Sequence, residues 1–204
     1  MRNTTLKTTS GVTLLEMMVS VGILTAVMGV LFTLSLSIGD TARIQNTKSM
    51  AHDEARRALL AVVPRLRQAQ DASINKGALP GDVLSFRMPV DADGNGTAVD
   101  IGGALELGNV VTIRRDTLDL NGDGVTASQL IMVEGDTVTV LANNLSPDGA
   151  PAPAGEGEPA PENTAGFWVE EQAGGVLVSI RTQGTSRRGH VIRQTFTELV
   201  DPRN

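Results

Sequence analysis

The chain reads as an α+β protein: one long N-terminal spine helix, membrane-spanning in its first half, packed on a C-terminal antiparallel β-sheet domain. Three observations predict this. Residues 12–39 form one apolar run. Residues 40–73 continue with apolar side chains at helical spacing. From residue 83 onward the texture changes to short β-branched or alternating segments divided by turn residues.

Composition bounds the function. With 204 residues the chain has room for one domain and an appendage, or for two very small domains. It has four Phe, one Trp and no Tyr, so its core is built from Val, Leu, Ile, Met and Ala. The absence of cysteine excludes disulfides, thiolate metal sites and a cysteine nucleophile. A net charge of -6 argues against nucleic acid as a partner, because phosphate binding needs a basic surface. Two histidines, His52 and His190, leave little for imidazole chemistry.

The N-terminus carries most of the information. Residues 1–11, MRNTTLKTTSG, are polar, with Arg2 and Lys7 as their charges. Val12–Gly39 holds one charge, Glu16, and Met17–Ile38 holds none. A bilayer core of ~30 Å needs about 20 such residues in a helix. The basic end precedes the run, which predicts a cytoplasmic N-terminus and export of the residues beyond the run. A cleaved secretory signal has an apolar region of only ~7–15 residues and a small-x-small cleavage site, and neither matches. A plain signal anchor fits the length and leaves Glu16 unexplained. A carboxylate at mid-membrane costs ~2.5–3.5 kcal/mol, so Glu16 either snorkels to the interface or meets a positive partner inside an assembly.

Gly11-Val12-Thr13-Leu14-Leu15-Glu16 resembles the recognition motif of type IV prepilins and type II secretion pseudopilins. The resemblance implies that prepilin peptidase cuts between Gly11 and Val12 on the cytoplasmic side and methylates the new amine. It makes Glu16 the fifth residue of the mature chain, where that family carries its glutamate. The family usually has Phe after the cut, where Val12 stands here, and often a Pro midway along the apolar helix, which is missing here. In a filament the Glu16 carboxylate of one subunit can meet the Val12 amine of a neighbour. Desolvation offsets much of that attraction, so such a pair sets register and recruitment more than stability.

The domain plan is a leader at 1–11, a transmembrane or filament-core helix at 12–39, an amphipathic half of the spine at 40–76, and an exported domain at 77–204. In the amphipathic half, Ile44, Ala51, Ala55, Leu59, Val62, Leu66 and Ala69 form the apolar stripe. Asp40 and Thr41 are expected to cap or restart the helix after Gly39, Pro64 to kink it, and Gly77 to stop it. Strands are expected at Val83–Met88, Asn109–Arg115, Ser128–Glu134, Asp136–Ala142, Phe167–Gln172, Val176–Thr182 and Val191–Val200. Gly135 with Asp136 makes a tight hairpin plausible, and Gln183–His190 reads as a turn or hairpin tip. Val176, Val178 and Ile180 share one face of their strand, and Ser179 and Arg181 the solvent face. Residues 146–165 hold five of the nine prolines and read as a flexible loop.

The last ~40 residues resemble, less specifically, the end of the J-type minor pseudopilin class, in which two late strands carry a basic segment between them. That resemblance implies a minor subunit at the tip or initiation complex. Its partners are other pilin or pseudopilin subunits, prepilin peptidase and the bacterial inner membrane, with the domain in the periplasm.

Two loops have the oxygen spacing of half a calcium loop: Asp91-Ala92-Asp93-Gly94-Asn95-Gly96 and Asp119-Leu120-Asn121-Gly122-Asp123-Gly124. The glutamate expected at the twelfth position is Gly102 in the first and Leu130 in the second. Ordinary Asx/Gly turns are the favoured reading of each loop. For a structural calcium, the preferred donors are Asp119, Asn121 and Asp123, bracketed closely by strands. No nucleophile elbow, phosphate-binding loop or His pair is present, so an enzyme is not expected. The rival function is a membrane-anchored binding or adhesion module that never enters a filament.

Overall fold

The computed structural model describes residues 13–147, 166–187 and 189–202. Helix α1 runs unbroken from Leu14 to Gln68. Among the described residues seven strands come after it: β1 Val83–Pro89, β2 Leu107–Arg115, β3 Leu130–Glu134, β4 Thr137–Ala142, β5 Phe167–Gln172, β6 Gly175–Thr185 and β7 Val191–Val200. The chain divides into two compact units, residues 1–44 and 45–204.

In the first unit, the apolar side chains from Leu14 to Ile38 are exposed. The helix is long and apolar enough to cross a membrane. It passes Gly39 without a break, and Thr41 Oγ1 donates to Ser37 O at 3.0 Å, so the expected restart at Asp40 and Thr41 is absent. Ile44, assigned to the buried stripe by its spacing, is exposed.

In the second unit, the rest of the stripe is buried as expected: Ala51, Ala55, Leu59, Val62, Leu66 and Ala69, joined by Ala58 and Val63. Each fully buried Val or Leu contributes about 1.5–3 kcal/mol. The small residues let the backbones approach closely. Thr182 Oγ1 donates to Ala51 O at 2.6 Å. At Gly184 a Cβ would stand 2.5 Å from Thr47 Cγ2, so any side chain there must displace Thr47.

Helix α1 continues four residues past Pro64 and ends earlier than Gly77. The reason is a competing partner: Gln70 N–H donates to Arg87 O at 3.2 Å, which draws the chain onto β1. Residues 71–73 and 76–78 are single 3-10 turns, so Gly77 lies within a turn and is no helix stop. Lys76 Nζ ties this segment together, 2.7 Å from Asp71 Oδ2 and 3.4 Å from Glu171 Oε1.

The strands form two antiparallel meanders, β1-β2-β3-β4 and β5-β6-β7. Both contribute to one core with the helix, through Leu84, Phe86, Val111, Ile113, Phe167 and Val178 among others. Glu134 pairs with Thr137 across a two-residue hairpin, and Gly135 supplies the φ of +58° at its first position. Trp168 on β5 is half-buried and faces Ser179 across the ladder.

Val176, Val178 and Ile180 are buried together, as their alternation predicts. Arg181, expected on a solvent face, is buried at 1% exposure. Its Nε donates to Thr195 Oγ1 at 3.1 Å on the adjacent strand. Burial, and then the nearby Arg193 charge, hold its pKa below the usual arginine range. Strand β6 also runs three residues beyond the expected Thr182, because Gln183, Gly184 and Thr185 pair with Arg193, Ile192 and Val191.

Replacing Gly184 with Ala should destabilise the protein by about 1–3 kcal/mol, since a stiff β-branched neighbour must move to admit the methyl group. Denaturant unfolding of the two proteins, compared at equal m-value, measures this.

Candidate functional site

The sequence singles out the start of the apolar helix. Gly11 and Val12 lie outside the described residues. Thr13 is the last residue before α1, and its Oγ1 accepts the Glu16 N–H at 3.3 Å. Thr13 O accepts the Met17 N–H at 3.1 Å, closing the first turn. Thr13 is therefore the N-cap and Glu16 the third helical residue, the spacing of a capping box. Sequence reasoning did not assign Thr13 this role, although Thr-x-x-Glu before an apolar run is its signature. Glu16 is exposed, and its acidic group in the first turn complements the positive end of the helix dipole. Ser20 Oγ donates back to Glu16 O at 2.7 Å. Thr25 and Thr33 donate likewise to Val21 O and Val30 O, so these hydroxyls within the apolar run have partners in their own helix.

The second loop with calcium-like spacing connects β2 to β3. Asp119 takes φ +54°, and both its carboxylate oxygens accept the Gly124 N–H at 3.1 Å. Asp123 Oδ1 accepts Val125 N–H at 2.8 Å. Asp123 Oδ2 accepts Gln129 Nε2 at 2.7 Å and Asn121 Nδ2 at 2.9 Å. The buried Gln129 also bonds Asn121 at 3.1 Å and Asn143 at 2.9 Å, which fastens the loop to the end of β4. Asp119, Asn121 and Asp123 are thus brought into one loop, with their oxygens engaged by N–H donors. The hydrogen bond from Gln129, then that from Val125, hold the Asp123 carboxyl below the usual aspartate range, against a smaller opposing effect of burial.

This loop is anchored from below. Buried Asp116 accepts Leu118 N–H at 3.1 Å and Leu120 N–H at 3.0 Å. Arg115 donates to Ala127 O and, at 2.8 Å, to Ser146 O. Ser146 is buried, and its N–H donates to Arg181 O at 2.9 Å, so the first residue of the expected flexible loop belongs to the folded domain. Residues 148–165 of that loop lie outside the described residues.

The first calcium-like loop, between β1 and β2, differs. Asp91, Asp93 and Glu106 each offer a carboxylate oxygen, all within 4.8 Å of one another. Glu106 Oε2 accepts Ala92 N–H at 2.6 Å. Asn95 N–H donates to Asp91 and Asp93, both at 3.0 Å, and Gly96 N–H to Asp91 Oδ2 at 2.8 Å. Glu106 escaped the sequence reading because it lies beyond the twelfth position. The Val90 N–H to Glu106 O bond of 3.0 Å folds it back across the loop.

The histidines stand apart from these groups. The His52 ring lies edge-on to Phe196 at 4.8 Å, and His190 is exposed at a hairpin tip. Glu170 and Glu171 separate as strand neighbours do, Glu170 accepting from Gln172 and Glu171 pairing with Lys76.

The lowered Asp123 pKa has a sign. Its stabilising effect is present above the unfolded value near 3.8 and is lost as pH falls through the lower folded value. In a carboxyl NMR titration Asp123 should titrate below free aspartate, and Gln129→Ala should move its midpoint upward.

The chain matches no family model, no curated protein and no solved structure.

Proposed function

We propose that this chain is a minor pilin or pseudopilin subunit, processed by prepilin peptidase between Gly11 and Val12 and assembled into a filament with related subunits. The observation that supports it is an exposed apolar helix with the Glu16 carboxylate in its first turn. Such a helix needs a bilayer before assembly and neighbouring helices after it. Cleavage supplies a cationic amine at Val12, and an axially offset neighbour supplies Glu16 to meet it. The α-plus-antiparallel-sheet domain is the kind of body that such a subunit carries outside the membrane. The basic hairpin between β6 and β7 supports the tip or initiation class, in a type II secretion or type IV pilus machine. The cell location in this reading is the bacterial inner membrane, with the domain in the periplasm.

The N-terminal mass of the protein purified from its own membrane tests the processing step. A chain starting at Val12 is expected, and a chain still starting at Met1 or cut beyond Gly39 overturns the proposal. Glu16→Ala should leave membrane insertion intact and reduce filament incorporation severely. Normal incorporation of that variant would favour an anchored binding or adhesion module.

A structural calcium ion belongs to the same reading. The gathered carboxylates of Asp91, Asp93 and Glu106 suit a hard cation better than Asp119, Asn121 and Asp123, because they bring three acids together where the other loop has two; N–H donors engage both sets. Calcium should raise the unfolding temperature relative to chelator, and Glu106→Gln should reduce that rise. No shift with calcium removes the ion from the proposal.

A further inference from the structure

The charges of the second unit are sorted along the chain. Between Arg87 and Arg114 lie four carboxylates, Asp91, Asp93, Asp100 and Glu106, and no base. Between Glu171 and Glu198 lie four arginines, Arg181, Arg187, Arg188 and Arg193, and no acid. The acidic stretch is a structured finger. Its base is closed by the Val90–Glu106 bond, its middle by Glu106 N–H to Ala98 O at 2.9 Å, and its tip by Asp100 N–H to Ala104 O at 2.9 Å. Among the described residues none of its carboxylates has an ion pair, although three of them crowd together. At the tip turn Ile101 is 99% exposed. The basic stretch ends in a hairpin tip held by Ser186 N–H to His190 O at 2.8 Å and His190 N–H to Ser186 Oγ at 3.1 Å. Arg187 and His190 are exposed there.

We infer that the acidic Val90–Glu106 finger of one copy docks on the basic Thr185–Val191 hairpin tip of a second copy. Charge complementarity selects the occupant. Finger against finger, or tip against tip, brings like charges together and is opposed. Finger against tip pairs opposite charges, once in a heterologous contact or twice about a two-fold axis. Arg187 supplies the cation for the crowded carboxylates in place of a calcium ion, with which it competes, and Ile101 supplies apolar area at the margin. The contact uses the second unit alone and does not rest on the processing or helix-packing proposal.

The chain contains no cysteine, which makes the test direct. One full-length preparation carries Ala104→Cys on the finger and another carries Thr185→Cys beside the tip; both positions are exposed. They are mixed in detergent micelles with chelator at low ionic strength, freed of chelator, and oxidised. A cross-linked dimer several-fold above that of either preparation alone is expected. It should fall to the single-preparation level when the finger also carries Asp91→Lys and Asp93→Lys, and at about 1 M salt, where the Debye length is only ~3 Å. Equal cross-linking in mixed and separate preparations overturns the inference. So does cross-linking that survives the charge reversals, or an equal yield with Thr137→Cys, exposed on β4, in place of Thr185→Cys. A Glu16→Ala background should leave the cross-link unchanged, which separates this contact from the assembly proposal.

Discussion

The buried stripe of α1 from Ala51 to Leu66 is the constraint on which the second unit depends. The core that the four-stranded and three-stranded meanders share has a third surface. The helix provides it, and the alanines on its buried face decide how near the strands can come. Thr182 reaches the helix backbone, and Gly184 passes Thr47, only because no larger side chain intervenes. The aromatic-poor composition is thereby answered by close approach of small and branched side chains. The same helix has no such cover from Leu14 to Ile38, where side chains as apolar as those of the core remain exposed. At ~25 cal/mol per Å² of apolar surface, that exposure in water is costly, and an apolar medium or neighbouring helices must accept it.

The two Asx-rich loops show how similar sequences reach different electrostatics. Around Asp123 each carboxylate oxygen has N–H donors, and Gln129 and Asn143 couple the loop to the domain. Around Asp91 the donors are also present, but Glu106 adds a third carboxylate in the same small volume. The first arrangement lowers a pKa by solvating one charge. The second concentrates charge and leaves it for something external to neutralise.

Much of the fold was legible because its signals are local. Strands β1 to β7 stand close to their expected spans, since β-branched alternation and glycine turns act over a few residues. The features that escaped the sequence depend on distant partners. The helix end moved because Arg87 O competes for Gln70 N–H. Arg181 turned inward because Thr195 on the neighbouring strand accepts its Nε. Glu106 joined its loop from beyond the twelfth position, and Gln129 from outside the six-residue Asp119–Gly124 run. Thr13 is the exception: its capping role is local, written in the Thr-x-x-Glu spacing that also carries Glu16.

The single tryptophan has an optical consequence. Trp168 sits on β5 in the three-stranded sheet, and the chain has no tyrosine. Indole emission therefore reports on that sheet alone, and the four-stranded sheet is dark to it. Far-ultraviolet dichroism sees both sheets and the helix. Coincident melting by the two signals would mean that the shared core makes the sheets one cooperative body, and separated melting would make Trp168 a local beacon for one half.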